Sequence, residues 1–521
     1  MSLLSWLRAW LSDDRPERQS WDDRAAPGRG RPIQAGYAAS IDTEETAGLW
    51  AYADALDADA ANSLSVRAKL RTRMRKERSS NAHAAGILLT HTNYVVGTGP
   101  TLRMQTGSAP FNAMVETRWG SWCKAIGFVR KLRTLHLAKT ADGEGIARLY
   151  SNPALADLVK LDLRPIETDQ MSTGYGLFEP NHVDGVWFDE FGNPTAYDFL
   201  LRHPGALGIP GAAMPWVSEK VPARYVLHWF RGDRPGQHRG VPELTPSLLL
   251  FAQGRRFREA VVGAAETAAD YSVIMKMPVG GEGTPDEADP FATLAIEKRM
   301  FVATPAGADP YQMRAEQPST TYEGFNRSIV SEEARPLNMP YSIAAADSVG
   351  ISFSGGRLDQ LGYYVFVEND RDDAESQVLD QLFAVWFVEA CAVYGWNQPA
   401  EPAPRHAWDW PARPEIDSEK TANARKIKLS SGQTTLTAIH AEDGLDWEDE
   451  LQTMARDFRK TPEEICQRLF ETIFAEKPAS GPPPPPPPAE EPPPPARNGS
   501  RYTATTRRSA PLAASQLSPE P

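Results

Sequence analysis

The sequence predicts a helix-rich α+β protein, and three observations support this fold class. Apolar residues recur with the helical period over long segments at about 47–93, 243–272 and 357–394. Between the first two segments, residues 157–230 contain short alternating stretches separated by turns, which indicate an antiparallel sheet. A chain of 521 residues is also too long for one core and is expected to contain several structural units.

The N-terminal part of the chain is predicted to be helical. Residues 47–93 keep a helical pattern until glycines and a proline end it at 94–100. Residues 101–105 then alternate between polar and apolar side chains, which indicates a strand. Two further helices are predicted at 110–126 and 130–151.

Strands are predicted in the next stretch of the chain. Residues 158–163 alternate, and residues 185–201 predict two strands around a Gly-Asn-Pro turn at 192–194. Residues 225–230 predict another strand. Short neighbouring strands of this kind pair antiparallel, so this region supplies the β part of the fold.

Helix returns in the middle of the chain, at about 243–272. Strand candidates at 272–277 and 299–304 flank a loop rich in glycine, proline and acidic residues. A helix at 320–335 is predicted to end before Pro336, because the residue before a proline disfavours the α conformation.

A loop and a long helix follow. The loop covers 338–356 and the helix 357–394. Residues 400–475 predict an extended stretch rich in proline and tryptophan, with two or three small helices.

Both ends of the chain differ from the rest in composition. Residues 1–46 predict a flexible polar arm, whose first eleven residues have the pattern of a short amphipathic helix. At the other end, 15 of the 44 residues in 478–521 are proline, which indicates a disordered or polyproline II tail.

Composition excludes several classes of protein. The chain has 55 Lys and Arg against 68 Asp and Glu, a net charge of −13, so a protein that wraps nucleic acid over its whole surface is not expected. Three well-separated cysteines predict neither a disulfide framework nor a structural zinc site. No apolar run reaches the about 18 residues of a membrane span, and no membrane partner is predicted.

Catalytic motifs are missing or incomplete. The sequence contains no GxxxxGK[ST], no GxSxG and no HExxH, so no cofactor and no metal are predicted. His203, His228 and His238 are expected to pack and to form hydrogen bonds. Acidic residues at 368–375 are interpreted as a solvated or channel-facing helix surface, because a metal nuclease needs carboxylates from several elements.

One basic segment leaves two alternatives open. Residues 67–78 contain seven basic side chains, and Arg67, Arg71, Arg75 and Arg78 share one helical face. This helix either is solvated or pairs with an acidic neighbouring subunit, or it contacts phosphate groups.

Several distinctive short segments follow one another along residues 50–460. The segments are Arg78 with 95–100, 226–230, 234–242, 264–270, 317–322 with Phe325, 337–341, 354–357, and 408–417 with Lys420. As an ordered set they resemble the lambda-type family of portal proteins of tailed bacteriophages. The arm and the proline-rich tail lie outside the resemblance.

The resemblance implies a portal-type architecture with wing, stem, clip and crown around an axial channel. It assigns 1–46 to the flexible N-terminal arm, 47–244 to the wing, 245–271 to a stem helix, 272–319 to the clip, 320–337 to a second stem helix, 338–356 to a tunnel loop, 357–399 to a long wing helix, 400–477 to the crown and 478–521 to the disordered tail.

The tunnel loop is the predicted DNA-facing site. It is rich in serine and glycine, and Asp347 is its only charged residue, so it could follow a DNA groove without strong ion pairs. Its candidate DNA-channel residues are Asn338, Tyr341, Ser342, Ser348, Ser352, Ser354, Gly355, Gly356 and Arg357. We expect Arg357 to be the cation nearest to DNA. The alternative, to which we give equal weight, is that Arg357 is an ordinary surface residue at the N-terminal end of a helix.

The resemblance also implies function and partners. It predicts a structural protein, not an enzyme, that forms a homo-oligomeric ring of about twelve subunits at one capsid vertex. Double-stranded DNA would pass through this ring during packaging and ejection. The implied partners are the terminase large subunit, the major capsid or scaffolding protein, and head-completion or adaptor proteins. The location would be the virion, with the host cytoplasm during assembly. A metal-dependent nuclease or peptidase of the same gene cluster is the alternative.

Overall fold

The structure is a computed structural model of the chain. It describes residues 54–172, 181–206, 217–269, 273–276, 309–312, 322–397, 402–413 and 418–474. The predicted arm, tail and 299–304 strand therefore lie outside the described residues. The chain divides into two compact units, the larger containing residues up to 418 together with 436–447.

The described part of the first unit begins with helices, as the sequence predicts. They are α1 (Ala58–Ala61), α2 (Leu64–Ser80), α3 (Ala82–Val95), α4 (Ala109–Ile126) and α5 (Phe128–Asp142). The predicted strand after α3 is present as β1 (Thr101–Met104).

Two antiparallel sheets confirm the predicted β region. The strands are β2 (Glu144–Ser151), β3 (Leu161–Ile166), β4 (His182–Val183), β5 (Val186–Phe188), β6 (Pro194–Leu200), β7 (Ser218–Pro222) and β8 (Val226–Phe230). One sheet has the order β3-β2-β8 and the other β4-β5-β6-β7. The predicted turn at 192–194 joins β5 to β6.

The predicted helix at 130–151 is wrong in its second half. Helix α5 ends at Asp142, and residues 144–151 form β2, the central strand of the three-stranded sheet. Gly143 lies at this change of direction and has a φ of 94°. A residue with a side chain would be strained in this backbone conformation. A Cβ atom there would also lie 2.6 Å from the carbonyl carbon of Val241.

The middle of the chain contains two long helices and a strand pair. The helices are α6 (Leu248–Ala269) and α7 (Tyr322–Ala334), and the pair is β9 (Val273–Lys276) with β10 (Asp309–Gln312). A 3₁₀ turn at Arg335–Leu337 follows α7. The predicted helix end before Pro336 is thus confirmed.

The long helix begins four residues before its predicted start. It consists of α9 (Phe353–Ala374), a π turn (Glu375–Leu379) and α10 (Asp380–Tyr394). The Ser352 side chain accepts a hydrogen bond from the Gly355 N–H and caps the helix there. A single turn, α8 (Tyr341–Ala344), also lies in the predicted loop.

This long helix belongs to the core of the first unit. By length and composition alone it could span a membrane. Its side chains at Tyr363, Val367, Phe383 and Trp386 are buried with residues of α3, α4 and α5 in one hydrophobic cluster. Tryptophan rings pack closely in this cluster. The ring centroids of Trp119 and Trp386 are 5.2 Å apart.

The C-terminal stretch contains more structure than predicted. The extended segment forms strand β11 (His406–Asp409), which pairs antiparallel with β1. Within the described residues four helices follow, where two or three were predicted: α11 (Ser418–Ser430), α12 (Leu436–Glu442), α13 (Trp447–Phe458) and α14 (Pro462–Phe474). The described part of the second unit comprises residues 419–435 and 448–474.

Candidate functional site

The predicted DNA-channel residues form a short, irregular and mostly exposed segment. Asn338 has a φ of 50° and ends the 3₁₀ turn after α7. Asn338, Ser348, Ser352, Ser354 and Arg357 are exposed, whereas Tyr341, Ser342, Gly355 and Gly356 are half-buried. The last four predicted residues, 354–357, lie in the first turns of α9 and not in a loop.

Two contacts hold this segment in place. The Ser342 hydroxyl donates a hydrogen bond of 3.0 Å to Asp359 on α9. The ring of Tyr341 stacks against the Arg327 guanidinium of α7, 4.6 Å from the ring centroid. The segment from 345 to 352 therefore projects between two anchored ends, and its exposed side chains are small apart from Val349.

Arg357 is exposed on the second turn of α9. It forms no ion pair with any other residue that the structure describes. The N-terminal end of a helix favours anions over cations, so this arginine gains nothing from the helix dipole. Within the described residues, neither an ion pair nor the helix dipole therefore stabilises this cation.

A buried ionic cluster involves a later part of α9. Asp370 of α9 accepts hydrogen bonds from Lys139 and from the Nε2 of His136, the latter at 2.8 Å. Lys139 also lies 2.8 Å from Glu243. The His91 Nε2 approaches the same Asp370 oxygen at 3.2 Å. All five side chains are buried, so the cluster ties α3, α5, α9 and the 243 segment together.

Lys139 is the main counterion of the two buried carboxylates in this cluster. Burial opposes ionisation of Asp370, but the Lys139 ammonium and the histidine hydrogen bonds outweigh it and hold the pKa of Asp370 well below its usual range. Burial lowers the pKa of His136 to about 4, so this imidazole is neutral at neutral pH. The prediction of a solvated or channel-facing acidic surface is therefore wrong at Asp370, because this carboxylate is buried and holds α9 to α5.

The same cluster has ligand atoms close enough together for a metal ion, but a cation fits it poorly. The ligand atoms of His91, His136 and Asp370 lie within 4.8 Å of one another. Lys139 already neutralises the carboxylate, so a divalent cation would meet a buried ammonium. A second group, Glu167, Asp169 and His203, has similar spacing. There Arg75 already pairs with both carboxylates.

The basic helix α2 pairs within its own chain. Arg67 lies 2.6 Å from Asp184, Arg71 lies 2.7 Å from Asp169, and Arg75 lies 2.7 Å from Asp142. Arg67 and Arg71 are buried, so the predicted solvated face is wrong for these two, and all three arginines pair with carboxylates of their own chain. Lys69, Arg73, Lys76 and Arg78 remain exposed on the helix.

The predicted role of the histidines in hydrogen bonding and packing is confirmed. His228 lies 3.2 Å from Glu144, and His238 lies 2.7 Å from Asp59. Glu144 also accepts hydrogen bonds from Nε and Nη2 of Arg239, at 2.7 and 2.8 Å. This fully buried ion pair connects the sheet to the segment before α6.

Glu333 of α7 is a buried carboxyl group without a hydrogen-bond partner among the described residues. Its nearest cation is Arg258 of α6, at 3.6 Å. Burial raises the pKa of Glu333 to about 7, opposed by Arg258 and reinforced by the nearby Glu77. This carboxyl group titrates near neutral pH at the junction of α2, α6 and α7.

The raised pKa predicts a pH effect on stability. A carboxyl group that binds its proton more tightly in the folded chain stabilises the fold below its unfolded pKa. We expect this contribution to be full below about pH 4.5 and to be lost as the pH rises through about 7. Glu333→Gln should flatten the dependence of the urea midpoint on pH in this window. Glu332→Gln, on the exposed neighbour, is the control, and equal flattening by both would contradict the assignment.

Comparisons with known proteins show the family of this chain. The family model for phage portal protein, lambda family, matches residues 45–371, more than half of the chain. The chain therefore belongs to the lambda family of phage portal proteins. A probable portal protein of Halomonas phage phiHAP-1 is 26% identical over 343 residues, which cover 61% of this chain and 63% of that protein. The match thus spans less than two thirds of that relative's length.

Solved structures also align with parts of this chain, at low sequence identity. A chain in the virion of a native gene transfer agent particle aligns with a TM-score of 0.39 and 12% identity, covering 72% of this chain and 92% of that chain. An HK97 family phage portal protein from Corynebacterium diphtheriae aligns with a TM-score of 0.29 and 13% identity. That alignment covers 56% of this chain and 86% of that chain.

Sequence reasoning missed the buried ionic cluster, although one signal was present. Lys139 and His136 continue the apolar face of α5 that Leu132 and Leu135 begin. A lysine on an apolar helical face must be paired if it is buried. Its partners Asp370 and Glu243 lie far along the chain, and nothing in the local pattern identifies them.

Proposed function

We propose that this portal protein assembles into a ring of about twelve subunits that surrounds a DNA channel at one vertex of the capsid. Membership of the lambda portal family is the observation that carries the proposal. DNA enters through the ring during packaging and leaves through it during ejection. The protein is a conduit and an attachment point, and the energy for packaging comes from a separate motor.

The segment 338–356 with Arg357 is proposed to line the channel. Its exposed residues are mostly serine, glycine and asparagine, which can contact DNA without holding it. Arg357 is proposed as the phosphate contact, because no described residue pairs with it. A net charge of −13 per chain opposes static binding of the DNA, as sliding requires.

The described elements are compatible with a division into wing, stem, clip and crown. Helices α6 and α7 are proposed as the stem, and the β9–β10 pair between them as part of the clip. The two sheets with α2–α5 and the long helix would form the wing. Helices α11–α14 would contribute to the crown, whereas β11 pairs with β1 and joins the wing.

Partners and location follow from the same proposal. The terminase large subunit would dock during packaging, and head-completion or adaptor proteins would replace it. The major capsid or scaffolding protein would surround the ring. The assembled protein would lie in the virion, after assembly in the host cytoplasm.

A charge reversal at Arg357 tests the channel assignment. In capsids assembled with the chain's own capsid and motor proteins, Arg357→Glu is expected to reduce the packaged DNA several-fold, because a fixed anion would face each passing phosphate. The free energy of unfolding should change by less than about 0.5 kcal/mol, since the residue is exposed. Nuclease-protected DNA measures the effect.

Arg73→Glu is the matched control, since Arg73 is an exposed arginine of α2 and is distant in sequence from residues 338–357. It makes the same charge change outside the proposed channel segment. Equal packaging by the two variants would contradict the role of Arg357 while leaving family membership untouched.

A further inference from the structure

Helix α6 has one exposed side in the first unit. Leu249 is 70% exposed, and Gln253 and Arg256 are exposed on the following turns. Their spacing of four and three residues places them on one side of the helix. Phe251, on the other side, is buried in the core. We call Leu249, Gln253 and Arg256 the α6 face, which the described part of the chain leaves open.

Helix α9 has an exposed side with the same spacing. Val365 is 60% exposed, and Asn369 and Asp372 are exposed four and seven residues later. Tyr363 and Val367, on the other side of α9, are buried in the core. We call Val365, Asn369 and Asp372 the α9 face. Each of the two faces is therefore about 10 Å long and runs, in the direction of its helix, from an apolar residue through an amide to a charged group.

The two faces are complementary when the helices run in the same direction. Side by side, they bring apolar residue to apolar residue, amide to amide, and the Arg256 guanidinium to the Asp372 carboxylate. Steps of four and three residues are also the spacing of contact positions between parallel helices in left-handed packing. In an antiparallel arrangement Arg256 would lie opposite Val365 and would lose its counterion. The chemistry of the two faces thus selects the parallel arrangement.

Both charged residues lack an ion pair in the part of the chain that the structure describes. Arg256 and Asp372 are exposed, and neither forms an ion pair with another described residue. Burial raises the pKa values of Asp373 and Glu375, and nearby carboxylates, Asp372 among them, raise them further. The surface around Asp372 therefore has an excess of negative charge, which a cation from outside the subunit would relieve.

A second copy of the chain supplies the complementary partner for each face. Both helices belong to the first unit, and both faces are exposed there, so the contact is not made within the subunit. Every copy carries one face of each kind. A contact between two different surfaces of identical subunits is heterologous and can repeat around a ring.

We propose that the α6 face of one subunit packs in parallel against the α9 face of the next subunit, with Arg256 paired to Asp372 across the interface. This inference rests on the ring proposed above and names a contact between its subunits. Leu249 and Val365 would leave water together at one end of the contact, and the ion pair would fix its register at the other.

Disulfide formation between copies tests the contact. In full-length protein with the exposed Cys466 replaced by serine, Leu249→Cys combined with Val365→Cys should give a ladder of covalent oligomers under mild oxidation. Leu249→Cys combined with Asp372→Cys is the control, because parallel packing separates these two positions by about 10 Å along the helices. Ladders from both pairs, from neither pair, or from the control pair alone overturn the proposal.

Exchange of the charges is the second measurement. Arg256→Glu and Asp372→Arg, each alone, should lower the fraction of protein in rings at least about tenfold, because like charges would face each other at every contact. The double variant should restore most of that fraction. Mass photometry measures the rings, and circular dichroism checks that each variant is folded.

The outcomes separate this contact from the ring itself. Equal ring formation by all variants overturns the contact and leaves the ring standing. A loss in both single variants without recovery in the double variant overturns the pairing of Arg256 with Asp372. Unaltered protein that forms no ring contradicts both this contact and the proposed function.

Discussion

Replacing Lys139 with methionine is expected to destabilise the first unit by about 3–5 kcal/mol, because it leaves Asp370 and Glu243 as buried charges without their main counterion. Burial lowers the pKa of Lys139, but the two carboxylates outweigh it and raise that pKa, so the ammonium is present at neutral pH. The urea midpoint of the purified protein measures the loss, and a low soluble yield would accompany it.

The matched control is Lys76→Met, since Lys76 is exposed on α2. This variant makes the same chemical change and should alter stability by less than about 0.5 kcal/mol. Similar midpoints for the two variants would show that the buried cluster is not needed for the fold. The double variant Lys139→Met with Asp370→Leu should recover part of the loss, because it removes a stranded charge together with its partner.

Gly240→Ala is expected to have the second large effect, a loss of about 3 kcal/mol or more. A Cβ atom at this position would overlap the carbonyl oxygen of Gly143 and lie 2.8 Å from the Cγ of Glu144. The Gly240 N–H also donates a hydrogen bond of 2.8 Å to Glu144. Relief of the clash would therefore disturb the buried Arg239–Glu144 pair as well.

Gly86→Ala provides the comparison for this loss. Gly86 lies within helix α3, and a Cβ atom there would meet nothing within 4 Å. Alanine should stabilise this helix by about 0.5–1 kcal/mol, since glycine is the poorer helix former. Thermal unfolding of both variants checks the pair, and a loss at Gly86 equal to that at Gly240 would contradict the steric argument.

The sequence predicted the parts of the fold that local chemistry determines. The turn at 192–194 between two alternating segments identified β5 and β6, and Pro336 identified the end of α7. The end of α5 was missed because the helical period was extended across Gly143 into an apolar strand. A glycine after Lys139 and Asp142 was the available stop signal.

Long-range pairing explains the remaining differences. Strand β11 was predicted only as an extended stretch, because its partner β1 lies about 300 residues earlier in the chain. The basic face of α2 could not be assigned, because its acidic partners Asp142, Asp169 and Asp184 come from three later segments. The candidate channel residues follow from the resemblance; five of the nine are exposed, and Tyr341, Ser342, Gly355 and Gly356 are half-buried.

Electron microscopy of the purified full-length protein, with mass photometry on the same sample, tests the central claim most directly. The account predicts rings with a central hole wide enough for duplex DNA and a mass of about twelve chains of 57.4 kDa. A compact dimer or tetramer without an axial hole would contradict it.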